Sequence, residues 1–258
     1  MKWSNELSVL LPVMKQAGQS ILELQKKGFS VSKKSNNDLL TEADLLANQL
    51  LKSTLMTHFP DDGWLSEECA DDAARLSKSR TWIVDPIDGT IEYANGVPEY
   101  AISVALVEEG EPVLASVYNP ASSELFYAMK GHGAFCHEQP IHCKLSETAS
   151  LTLLASRSEF KRGEWNRFRQ NNDVKVIGSI AYKLALVAAG RADAAFSLGP
   201  KSEWDIAAGV LLVQEAGGQV TDQHHRPFLF NRKDVRVDSI VATSSAAHAR
   251  VFELIALA

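Results

Sequence analysis
The sequence predicts a composite of α+β and α/β parts, with a largely antiparallel sheet in its first half and alternating strands and helices in its second. Two observations carry this. Segments 100–108, 112–118 and 124–129 are apolar or alternating runs separated by Glu-Gly, Asn-Pro and Gly-x-Gly turn signals, the pattern of consecutive strands. Beyond residue 146 the rhythm changes to strand, helix, strand, helix, which belongs to an α/β layer.

In chain order, residues 4–27 carry Leu7, Leu10, Leu11, Met14, Ile21 and Leu22 at helical spacing and end near Gly28, so an amphipathic helix is expected. Residues 33–37 are polar and read as a loop. Thr41-Glu-Ala-Asp44 before Leu45, Leu46, Leu50, Leu51 and Leu55 reads as a second helix start. A turn at 60–63 leads into a short strand that ends in Glu67 and Glu68, and the polar segment 71–79 reads as an exposed excursion. In the second half, strands are expected at 151–155, 174–177 and 192–197, and helices at 158–170, 181–189 and 206–215. Without repeats or an obvious linker, the chain reads as one domain over residues 1–258, with an antiparallel half (1–145) and an α/β half (146–258).

The hydrophobic content of 45% is enough for a substantial core. The net charge of −6 argues against non-specific binding to nucleic acid polymers, which needs a basic surface. Cys69, Cys136 and Cys143 lack metal-ligand spacing, and their odd number fits a reducing compartment. No apolar run has the length of a membrane span and no cleavable leader is evident, so the expected address is the cytoplasm.

The chemistry concentrates in Trp82-Ile-Val-Asp85-Pro86-Ile87-Asp88-Gly89-Thr90. An apolar strand ends in two carboxylates around a proline, which is expected to stop the strand. Two such acids can share or bridge hard divalent cations. Gly89-Thr90 then offers backbone N–H groups and a hydroxyl suited to phosphate. Taken alone, Asp-Pro-x-Asp-Gly is also a common surface turn. Asp44 and Asp205 each stand at a helix start, where helix capping is the plain alternative.

Asp-Pro-Ile-Asp-Gly-Thr, preceded by Ser66-Glu67-Glu68 and followed far downstream by Trp204-Asp205-Ile-Ala-Ala-Gly, resembles the inositol monophosphatase superfamily of Mg²⁺-dependent, lithium-sensitive phosphomonoesterases. The likeness runs from Asp38-Leu-Leu-Thr41-Glu-Ala-Asp44 to Glu215-Ala-Gly-Gly218. It implies a layered αβαβα fold of the kind shared with fructose-1,6-bisphosphatases, and a homodimer. It makes Glu67, Asp85 and the Ile87 carbonyl ligands of one Mg²⁺, and Asp85, Asp88 and Asp205 ligands of a second. A weaker third site would use Glu67. Asp44 and Thr90 match the water-activating pair, and the Gly89 and Thr90 amides match the phosphate-binding helix start. Such a site would hydrolyse a small phosphate ester by in-line attack of an activated water between metals about 3.5–4 Å apart.

For the ester, Leu65-Ser-Glu-Glu68, Gly89-Thr-Ile-Glu-Tyr93, Ser156-Arg157-Ser158 and Lys183 after Gly178-Ser179 resemble the 3′(2′),5′-bisphosphate nucleotidase branch. That branch removes the 3′-phosphate of adenosine 3′,5′-bisphosphate. Arg157 and Lys183 are candidates to meet a second phosphate, although Arg157 also fits a solvated helix face with Lys161 and Arg162. Ile91 departs from the lysine of that branch's Gly-Thr-Lys-Glu-Phe, and Asn95–Tyr100, Val117-Tyr-Asn-Pro120 and Gly131-x-Gly133-Ala-Phe135 resemble inositol monophosphatases at least as much. A non-catalytic phosphate-binding protein on the same scaffold is the third reading.

Overall fold
The period-2 alternation of two sheets sorts the core into layers. The computed structural model describes residues 2–33, 39–145 and 149–256. A seven-stranded sheet runs in chain order through Gly63–Ser66, Arg80–Asp88, Ala101–Glu108, Glu111–Asn119, Glu124–Met129, Ala134–Cys136 and Gln139–Ile141. Its first pair is parallel and the others antiparallel. Trp82, Val84, Ile102, Val104 and Leu106 face the helices Ser4–Lys27 and Glu42–His58. Ile83, Ala101, Ala105 and Val107 face the opposite way, onto the helices Ile180–Ala188 and Glu203–Glu215.

Those two helices are buried nearly all round, as a layer between two sheets requires. Their far side meets Leu154, Ala195, Ile240 and Ala242 of a five-stranded sheet. Its order is Asp173–Val176, Thr152–Ala155, Ala194–Ser197, Ile240–Ser244, Gly218–Thr221. The first two pairs are parallel and the last two antiparallel. Leu153, Ala194, Phe196 and Val241 complete the outer core with Trp165, Phe168, Val251 and Phe252. The result is the layered αβαβα arrangement expected from the sequence resemblance.

Several local expectations are corrected. The helix expected at 158–170 is two short ones, Arg157–Lys161 and Asn166–Arg169, because Gly163 adopts φ +80 between them. The segment 71–79 is not wholly exposed: Ala73–Ser77 forms a 3₁₀ turn whose Arg75 is only 2% exposed. Pro86 does not stop its strand, which continues to Asp88. Of the loop expected at 33–37, Lys33 closes a short strand, Val31–Lys33, while residues 34–37 and Asp38 of the resemblance motif lie outside the described residues. Among the described residues, no helix is long and apolar enough to cross a membrane.

Candidate active site
Residues three apart on a regular strand point to opposite faces, so Asp85 and Asp88 converge only because the pairing slips. Asp85 stands opposite Ser103 and Asp88 opposite Ala101, so the strand carries one extra residue between them. The extra residue re-aims the second carboxylate, as bulges commonly do. Pro86 sits in the irregular stretch, where its missing N–H costs no ladder bond. One oxygen each of Asp85, Asp88 and Asp205 then lie within 4.8 Å of one another.

Asp205 arrives from the other half of the chain, three residues past Ser202, and its Oδ2 accepts from the Ser202 N–H at 2.7 Å. Asp44 is built alike: its Oδ2 accepts from the Thr41 N–H at 2.7 Å and from the Thr41 hydroxyl at 2.6 Å. Both acids occupy the third helical position of a capping box, not the cap itself. Capping and site membership are therefore not alternatives: Asp44 keeps Oδ1 for the Thr90 hydroxyl, 3.1 Å away. Thr90 Oγ1 is also 3.1 Å from the Ile87 carbonyl.

Glu67 follows the strand Gly63–Ser66, and its N–H donates to the Val84 carbonyl at 3.2 Å, which extends the parallel ladder to the site. Glu67, Asp85, Ile87, Asp88, Gly89, Thr90 and Asp205 line one cleft of about 200 Å³. Gly89 ends the strand with φ +96, and a Cβ there would also lie 3.1 Å from the Glu99 carbonyl. Only glycine suits this turn into the short helix Thr90–Ala94.

Electrostatically, the cluster is under stress. Burial and the neighbouring Glu67, Asp88, Asp205 and Asp44 charges push the Asp85 carboxyl far above the usual range. Burial and Asp88 push Asp205 up to about 7. Burial also raises Asp88, against the hydrogen bonds it accepts. An all-oxygen, anionic and largely buried donor set of this kind suits a hard divalent cation, so Glu67, Asp85, Asp88, Asp205 and the Ile87 carbonyl could hold one or more.

A second cleft, about 330 Å³, shares Asp88, Gly89 and Asp205 with the first and adds Ser179, Arg157, Lys183 and Lys201. Arg157 is engaged there: its Nη2 donates to Glu99, and its Nε lies 3.6 Å from Glu92. Lys183 is 2% exposed. Among the described residues, no carboxylate lies within ion-pair distance of it. Burial lowers its ammonium to about 8, against the attraction of Glu159.

Sequence reasoning missed the groups that hold Asp88. Its Oδ2 accepts from the Ser179 hydroxyl and the Ala181 N–H, each at 2.6 Å. Ser179, at φ 54, also caps its helix by accepting from the Tyr182 N–H at 3.0 Å. A Gly-Ser pair before an apolar helix signals the cap, but nothing local signals the reach to Asp88.

An acidic cleft suited to a hard divalent cation, set in an αβαβα frame, is the arrangement of a metal-dependent phosphatase family, as the following match shows. The profile of the Inositol monophosphatase family matches residues 2–256, and the chain belongs to that family. The Nus factor SuhB of Xylella fastidiosa is 36% identical over 229 residues, covering 84% of this chain and 81% of that protein. The 3′(2′),5′-bisphosphate nucleotidase CysQ of Aggregatibacter actinomycetemcomitans is 30% identical over 237 residues, 88% of each. The solved structure of an IMPase from Thermotoga maritima superposes with a TM-score of 0.88 at 28% identity, covering 98% of this chain and 97% of that one.

Proposed function
We propose that this phosphatase is a Mg²⁺-dependent phosphomonoesterase acting on the 3′-phosphate of adenosine 3′,5′-bisphosphate. The observation that carries the reading is Lys183. A buried ammonium with no counter-ion within ion-pair distance among the described residues, in a cleft that opens beside Asp88 and Asp205, suits a ligand that brings a second anion. Inositol 1-phosphate has only one phosphate, which the first cleft takes. Arg157, already engaged by Glu92 and Glu99, contributes to the shape of the cleft more than to its free charge.

Glu67, Asp85 and the Ile87 carbonyl would hold one Mg²⁺, and Asp85, Asp88 and Asp205 a second, with Glu67 in reach of a weaker third. Bound there, the ions supply charge neutralisation, a more acidic water and stabilisation of the leaving oxygen. The chain does the rest. The Gly89 and Thr90 amides would donate to the phosphoryl oxygens. The Thr90 hydroxyl has one proton and two acceptors, Asp44 and the Ile87 carbonyl. Donated to Asp44, that proton leaves an oxygen lone pair to orient the attacking water.

Inositol 1-phosphate is the second reading, favoured by the IMPase fold match; phosphate binding without catalysis is the third. Phosphate release from adenosine 3′,5′-bisphosphate, inositol 1-phosphate and fructose 1,6-bisphosphate, each with Mg²⁺ and with added Li⁺, separates them. The nucleotide is expected to be preferred. Preference for inositol 1-phosphate overturns the nucleotidase reading, and no release from any ester favours the binding protein. Lys183→Met is expected to raise KM for the nucleotide by roughly 10–100-fold, the worth of a charged hydrogen bond, with little change for inositol 1-phosphate.

A further inference from the structure
Glu67 and Asp205 reach the site from elements far apart in sequence, and a partly buried polar chain outside the site joins those elements. Arg75 is its centre. Its Nε and Nη2 donate to the two carboxylate oxygens of Asp71 at 2.6 and 2.9 Å, its Nη1 to Asn231 Oδ1 at 2.7 Å, and its Nη2 also to the Arg232 carbonyl at 3.0 Å. The Asn231 side chain returns a bond to the Arg75 carbonyl at 3.3 Å. On the other side, the Asn231 and Arg232 N–H groups donate to Glu203 at 2.7 and 3.1 Å. Glu203 is fully buried and is the first residue of the helix that carries Asp205.

Arg75 also rests on the strand that delivers Glu67. A Cβ added to Gly63 would stand 3.0 Å from the Arg75 Cβ and 3.2 Å from its Cα, so strand and 3₁₀ turn are in direct backbone contact. The path therefore runs from the 63–66 strand through Arg75, Asn231 and Arg232 to Glu203, two residues before Asp205.

This path has a load to carry. Like charges on Glu67, Asp85, Asp88 and Asp205 repel and, without a cation, drive the two elements apart. A planar guanidinium with four of its bonds directed at fixed acceptors is stiff enough to oppose that. We propose that Arg75 is a positioning residue that, through Asn231 and Glu203, sets the separation of Glu67 and Asp205 and so the affinity of the acidic cluster for divalent metal. This rests on the metal reading proposed above.

Asn231→Gly removes the acceptor facing Nη1 at a position with φ 57, which glycine adopts without strain. Arg75→Lys keeps a charge but cannot span Asp71 and Asn231 together. Calorimetric titration with Mg²⁺ alone, and melting with and without Mg²⁺, read the effect. Both variants are expected to bind Mg²⁺ about 10-fold more weakly, the lower end of what partners behind a metal ligand contribute, and to lose part of the Mg²⁺-induced rise in Tm. Equal losses of Tm with and without Mg²⁺, at unchanged affinity, would mean a merely structural tie and overturn the proposal. If the wild type takes up no Mg²⁺, the metal reading itself fails, and this one with it.

Discussion
Asp88→Asn is expected to abolish Mg²⁺-dependent phosphate release while leaving the fold intact. One Asp88 oxygen accepts from Ser179 and Ala181 at 2.6 Å. Asparagine keeps that arrangement by turning its amide oxygen to the two donors. Its NH₂ group, a donor only, is then left facing the cluster, where it opposes a cation. The loss should exceed the roughly 10–100-fold that groups merely supporting a metal ligand cost. One of the repelling charges also disappears, so the variant's metal-free Tm should equal or exceed that of the wild type. Phosphate release and a metal-free melt check the two halves of the expectation, and full retained activity refutes the role of Asp88.

Mg²⁺ is expected to stabilise the protein much more at about pH 8 than at about pH 5. Asp85, Asp88 and Asp205 are raised above their ordinary carboxyl range, Asp205 to about 7. Between about pH 4 and 7 the folded chain thus holds protons that the unfolded chain releases. Stability from these groups is fully present below the unfolded pKa and falls as pH rises through the folded values. As pH rises through the folded values the metal-free fold takes on this repulsion, and a cation that binds only the native state removes it. Metal-dependent gains on the order of 5 °C or more at the higher pH, shrinking at the lower, are expected for a chain of this size. Paired melts with Mg²⁺ and with a chelator measure this, and a gain that grows on acidification contradicts it.

The cluster was legible because its members announce themselves locally. Asp85, Asp88, Gly89 and Thr90 share one short run, Glu67 ends a strand, and Asp44 and Asp205 open helices. The layers were legible for a similar reason, since alternation along the strands separates residues such as Ile83 and Trp82 onto different cores. What escaped depends on contacts distant in sequence. The hold of Ser179 and Ala181 on Asp88 comes from another element. Arg75 looked solvated because nothing near it in sequence reveals Asn231 as its partner. Pro86 looked like a strand end because the register slip that tolerates it is set by the neighbouring strand. The two boundaries most in error, at Gly163 and Pro86, were both decided by backbone geometry that residue pattern alone underdetermines.

The hydrogen bonds from Ser179 and Ala181 to Asp88 span 91 and 93 positions of chain. A growing polypeptide that has just left the ribosome as far as Met129 holds all the residues of five strands of the seven-stranded sheet and the whole Asp-Pro-Ile-Asp-Gly-Thr segment, yet it lacks the clasp on Asp88 and the carboxylate of Asp205. Such a nascent chain holds Glu67, Asp85 and Ile87 but not the full set of carboxylates that a second cation would need. Completion of the acidic cluster is thus a late event in the life of the molecule, and a chain cut short before Asp205 lacks the second of the proposed cation sites.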